Sequence, residues 1–134
     1  MIDLLLSEAC TPDQLKLILS RIFACPIDRV KVFSVDEFNS LTEELDGSIM
    51  ECVCVHSIVL GDASQLLQLY RYAMPNSELI DRLMKVAIEK KIRCFIPVDQ
   101  WNGWIHVNEQ GKVIRVSQLE EDEEDCFRFK RLEQ

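Results

Sequence analysis

Cysteine and histidine are the side chains of this chain with the most chemical reach. Cys52, Cys54 and His56 are spaced i, i+2, i+4. On a strand that spacing puts all three on one face, and zinc favours thiolate and imidazole ligands. A closed site needs a fourth ligand, however, and structural zinc sites are usually built on C-x-x-C turns. His106 is the only other histidine. The expectation is small core cysteines on a central strand, with no metal and no cofactor. A Cys–His hydrolase would need a low-pKa thiol beside an imidazole. Six cysteines and two histidines offer pairings, but none has a recognisable local context, and no cysteine stands clearly at a helix N-terminus. Glu43 and Glu44 are adjacent, and adjacent helical residues do not face each other. Gly47 and Gly61 are isolated, so there is no phosphate-cradling loop, and neither G-x-S-x-G nor H-E-x-x-H occurs. No catalytic residue is assigned, and the chain reads as a non-enzyme.

The charge pattern is more informative. Of 23 acidic residues, six are consecutive: Glu120, Glu121, Asp122, Glu123, Glu124 and Asp125. The net charge is −8, and without this run the balance is 17 acids against 15 bases, or −2. The acidity is therefore mainly local. A nucleic-acid binder would gather Lys and Arg on one face to neutralise phosphates, whereas here they are scattered. Nucleic acid and anionic membrane are disfavoured as partners, and a basic protein is the electrostatic complement. Blocks of like charge act as solvated loops or as interaction tails; both readings stand at this point. Trp101 and Trp104 flank Asn102-Gly103. Tryptophan is enriched at interface hot spots, so these two join residues 120–125 as candidate partner-binding residues. The alternative is that one caps the core and the other lies on a sheet surface.

The amino terminus has no basic n-region, and its apolar run is short for a signal peptide. No apolar stretch approaches a membrane span of ~20 residues. A cytosolic protein is expected, with all six cysteines reduced and several of them buried.

At 134 residues, the chain has the length of one domain, residues 1–134, able to bury roughly 65–70% of its unfolded surface. Thr11-Pro12-Asp13-Gln14 opens a helix with a capping box, continued by Leu15, Ile18, Leu19 and Ile22 at helical spacing and stopped by Cys25-Pro26. Residues 29–35 alternate as a strand. Asp36 is read as the cap of a short helix to about residue 44, followed by a turn at Asp46-Gly47. Residues 49–60 form a long β-branched run, read as a central strand. Residues 63–73 are read as a third helix. Ser77 is read as the cap of a fourth, with Leu79, Ile80, Leu83, Met84, Ala87 and Ile88 on its apolar face. Residues 92–98 form a strand. Residues 104–107 and 112–116, around a turn at 108–111, have a hairpin signature. Residues 126–130 alternate and are read as a last edge strand. Early helices and late strands predict an α+β domain with a mainly antiparallel sheet and helices packed against it.

A small, acidic, cysteine-tolerant α+β domain without a catalytic signature resembles the immunity proteins of bacterial polymorphic and contact-dependent toxins. The likeness lies in the segment Gly61-Asp62-Ala63-Ser64-Gln65-Leu66-Leu67-Gln68-Leu69-Tyr70-Arg71, in the helix–strand unit of residues 78–98 and in residues 104–116. The resemblance implies tight binding to a cognate toxin domain, often a basic nuclease, with occlusion of its active site; a monomer or weak dimer is expected. Two alternatives stand beside it: an acidic secretion chaperone for an exported effector, and a small Cys- or His-dependent enzyme.

Overall fold

The computed structural model describes residues 1–42, 48–98 and 103–132. Among them are nine strands: β1 (Ile2–Leu6), β2 (Val30–Ser34), β3 (Cys52–Ile58), β4 (Leu60–Gly61), β5 (Gln65–Tyr70), β6 (Cys94–Pro97), β7 (Gly103–Val107), β8 (Val113–Leu119) and β9 (Cys126–Arg131). The helices are α1 (Pro12–Phe23), α2 (Val35–Asn39) and α3 (Asn76–Lys90), with a 3-10 turn at Ile27–Arg29. The strand order is β2-β3-β5-β1-β6-β7-β8-β9-β4. Only β2–β3 and β4–β9 are parallel pairs. This is the α+β architecture with a mainly antiparallel sheet.

The sheet curls back on itself. β4 follows β3 after a single residue, yet it pairs with β9 at the far end of the order. Val59 is the link, and it is buried in the concave interior with Leu5, Ala63, Phe95 and Val116. On the convex side α1 and α3 cover the central strands. Leu15, Leu19, Ile22, Leu79 and Leu83 meet Leu4, Leu6, Leu67, Leu69 and Ile96 there. α2 closes a third, smaller cluster in which Phe33 and Phe38 pack with Met50, Val53, Val55 and Tyr70.

α1 forms for the reason its sequence suggests. The Thr11 hydroxyl accepts from the Gln14 N–H, and the Gln14 side chain accepts from the Thr11 N–H, so two otherwise orphaned donors are satisfied. Ala24 then ends the helix in the left-handed region at φ +52°.

Four expectations are corrected. Residues 63–73 are not a helix: residues 65–70 form β5, paired with β1 and β3. The spacing of Leu66, Leu67, Leu69 and Tyr70 suits a helix, but tertiary context decides the matter. Gln65 is only 2% exposed. Its amide accepts from the Cys10 N–H and donates to the Cys10 carbonyl (2.9 and 3.1 Å), which stitches β5 to the start of α1. The short helix is capped by Ser34 rather than Asp36, and it ends at Asn39. Ser34 and Glu37 form the reciprocal capping box that the end of β2 sets up. α3 begins at Asn76 behind Pro75 with no side-chain cap, so Ser77 lies inside it; Val86 is buried, whereas Ile88 is exposed. The run 49–60 holds a shorter strand, β3, and a bend into β4. β1 carries no element in the sequence reading and is a central strand of the sheet. The proposed turn at Asp46-Gly47 lies outside the described residues.

Candidate partner-binding site

The acidic run is the loop joining β8 to β9. All six residues from Glu120 to Asp125 are exposed. The two strands pair antiparallel up to Leu119↔Arg128, so the loop leaves one finished strand and enters another. Asp125 turns the chain into β9 at φ +61°, a conformation Asp tolerates better than most residues. One carboxylate is partly neutralised: Glu121 pairs with Arg128 at 3.4 Å.

β9 is held at its outer edge by residues 60–62. The Leu60 N–H donates to the Asp125 carbonyl (2.8 Å), and the Asp62 N–H donates to the Phe127 carbonyl (2.7 Å). The Asp62 carboxylate then accepts from the Phe129 N–H (2.8 Å), so a side chain stands in for a further strand residue. Gly61 makes this approach possible. It sits at φ +97°, and a Cβ there would lie 2.2 Å from the Phe127 carbonyl oxygen. A sheet edge presents unpaired donors and acceptors, and this strap satisfies part of that row. The acidic loop is therefore anchored by pairing on both strands and by a backbone hydrogen bond at its last residue.

Trp104 lies on β7 opposite Pro97 and Val116. It is half-buried and packs edge-on against Phe129 at 5.3 Å between ring centroids. Phe129 stacks on Phe95 (4.2 Å), and Phe95 stacks on His106 (4.4 Å). Trp104 thus belongs to the aromatic layer that supports the loop-bearing hairpin from beneath, rather than standing beside the six carboxylates. Trp101 lies outside the described residues.

The other candidates are held apart from this end. Cys52, Cys54 and His56 do lie in successive same-face positions of β3, opposite Val30, Val32 and Ser34. Cys52 and Cys54 are fully buried in the helix-covered core. Burial pushes the Cys54 and Cys94 thiols up to about 12 and raises Cys52 as well. Burial also raises Cys10 and Cys25. These five are poor thiolates at neutral pH. All six cysteines are free thiols. Among the described residues no three His, Cys, Asp or Glu side chains gather as a metal-binding set. Asp3 is half-buried on the helix-free face of β1, with burial raising its carboxyl and a Gln68 hydrogen bond opposing that rise.

Among the described residues, no helix is long and apolar enough to cross a membrane. Comparison with family models, with curated proteins and with solved structures gave no match.

Sequence reasoning missed the strap at 60–62 and the outward apolar residues Ile58 and Leu60. Gly61-Asp62 was legible as the end of a strand. Its partner, 64 residues away or more along the chain, leaves no local signal.

Proposed function

We propose that this protein is a non-catalytic binding protein that neutralises a basic protein domain by covering it, as the immunity proteins it resembles do with their toxins. The observation that carries this reading is the anchoring of the acidic run. Six exposed acidic residues sit in one loop between paired strands, so their charge is kept at one end of the sheet. A free tail of equal charge would spread that charge over many positions. The raised thiols of the helix-covered core support a non-catalytic role over a cysteine-dependent enzyme. The test is affinity capture of the intact protein from its own cells after brief crosslinking, with the partner identified and its crosslinks mapped. The reading expects a basic partner, with a domain pI above about 9, crosslinked through residues near 120–125. A neutral or acidic partner, or crosslinks confined to the α1–α3 side, would overturn it.

A further inference from the structure

Three large aliphatic side chains stand in water at the root of the acidic loop. Ile58 is 69% exposed and Leu60 is 59% exposed, while Val59 between them is buried. In an extended segment successive residues take opposite faces and alternate residues share one, so with Val59 turned inward Ile58 and Leu60 both point outward. Leu60 is opposite Cys126 on β9, and Leu119 is opposite Arg128. Cys126 and Arg128 are alternate residues of one strand, so Leu60, Cys126, Arg128 and Leu119 share the outer face of the sheet. Leu119 is 38% exposed. An open concavity at this point is lined by Leu119, Cys126 and Phe127 together with carboxylates of the loop.

Isolated exposed aliphatics are ordinary in soluble proteins. These share one face of one sheet end: Leu60 on β4 and Leu119 on β8 flank β9 from its two sides, with Cys126 and Arg128 between them. Contiguous apolar surface with a polar rim is the form that interaction sites take. The loop side of this patch is acidic; Arg128 beside it is paired with Glu121, and Lys130 follows on the same face of β9, farther from the loop. An occupant that covers the aliphatics must bring cations to the rim and apolar groups to the centre. A second copy of this chain would bring another set of six carboxylates to the same place.

We propose that this face docks a cationic amphipathic segment of the partner protein, with Ile58, Leu60 and Leu119 as its apolar floor and residues 120–125 as its charged rim. The proposal rests on the basic-partner reading and deepens it. The rim governs approach and the floor governs retention, since charge complementarity acts mainly on association and desolvated centres hold complexes. Trp104, beneath Phe129, positions the hairpin rather than touching the partner.

The experiment titrates the intact protein with three peptides: one alternating lysine and leucine, oligolysine of equal charge, and one alternating serine and leucine. Binding is read by calorimetry and by amide chemical-shift changes. The Lys–Leu peptide should bind roughly tenfold tighter than oligolysine, with shifts at residues 58–60 and 119–127. The double variant Ile58→Ser/Leu60→Ser should remove that tenfold advantage and leave oligolysine binding unchanged. Should this variant fold poorly, the shift map of the unsubstituted protein decides by itself. Equal affinity for the two cationic peptides, or shifts confined to the α1–α3 side, overturns the docking face but leaves the basic-partner reading standing. Oligolysine binding that survives neutralisation of the six acids removes the parent reading and this one with it. A dimer in sedimentation that the double variant dissolves assigns the face to a second copy and also overturns the proposal.

Discussion

Leu69 and Leu119 are leucines on strands of the same sheet, and they report two differently built regions. Leu69 lies on β5 and is fully buried beneath α1 and α3; Leu119 lies on β8 and is 38% exposed beside six carboxylates. The helix-covered half is bonded by apolar burial, and its buried amide Gln65 is satisfied by both polar groups of the Cys10 backbone. The hairpin end depends on backbone geometry: a strap at 60–62, a glycine that allows it, and an aromatic layer of Phe95, Phe129 and Trp104. Apolar burial is concentrated in the first region and exposed charge in the second. An end that exposes charge and aliphatics buries little apolar area, so the fold draws its stability from burial elsewhere.

The largest effect expected is on the first region. Leu69→Ala should cost about 2–5 kcal/mol, as large-to-small core substitutions do, and should leave partner binding unchanged in whatever fraction stays folded. Urea unfolding at equilibrium measures the cost. A loss below about 0.5 kcal/mol, the range of a neutral surface substitution, would mean that the helix-covered core is not where stability resides. Gly61→Ala comes next. Strained left-handed backbone costs about 1–3 kcal/mol, and here a methyl must also displace the Phe127 carbonyl. Hydrogen exchange should show β9 losing protection while β1 and β5 keep theirs. Equal loss in all three would make the two regions one cooperative unit and dissolve the contrast between them.

A smaller effect belongs to His106, in the aromatic layer. Burial holds its imidazole below the ordinary value of about 6.5; the Cys94 carbonyl and Asp62 oppose that shift, and Arg93 adds to it. Below that ordinary value the unfolded chain takes up the proton first. The contribution of His106 to stability is therefore full above the unfolded pKa and is lost as pH falls through the folded one. His106→Phe, which retains a ring to stack on Phe95, should flatten the part of the acid limb just below pH 6.5 in a stability–pH profile. An unchanged slope would show that the layer tolerates the charged ring.

Elements with one wet face or a strong turn were legible in the sequence. The α1 capping box is one. The β7–β8 hairpin is another: Asn108 Oδ1 accepts from the Gln110 and Lys112 N–H groups, and Gly111 takes φ +75°. The strands hidden from sequence reasoning are β1 and β5, neighbours in the middle of the sheet. A strand covered on both faces loses its alternation. Ile2-Asp3-Leu4-Leu5-Leu6 shows no period, and Gln65 and Gln68 imitate the polar face of a helix. The candidate site was half legible for a similar reason. The acidic run announces itself by composition. The strap, the outward turn of Ile58 and Leu60, and the support role of Trp104 depend on pairings between distant segments, which no local pattern encodes.

The smallest expected effect on stability is also the one that bears most directly on function. Replacing Glu120, Glu121, Asp122, Glu123, Glu124 and Asp125 by Gln and Asn should change stability by less than about 1 kcal/mol, because exposed charges contribute little. If the proposed reading holds, it should nevertheless slow association with the basic partner that reading expects. The field of the loop reaches about one Debye length, ~8 Å at physiological salt, so the difference is greatest at low ionic strength. Stopped-flow association of the captured partner with both proteins across a salt series is the decisive measurement. A steep salt dependence for the unsubstituted protein that flattens on neutralisation is the result expected of an anchored docking loop. Identical on-rates and identical salt slopes would contradict that account and leave the run as a solvated loop.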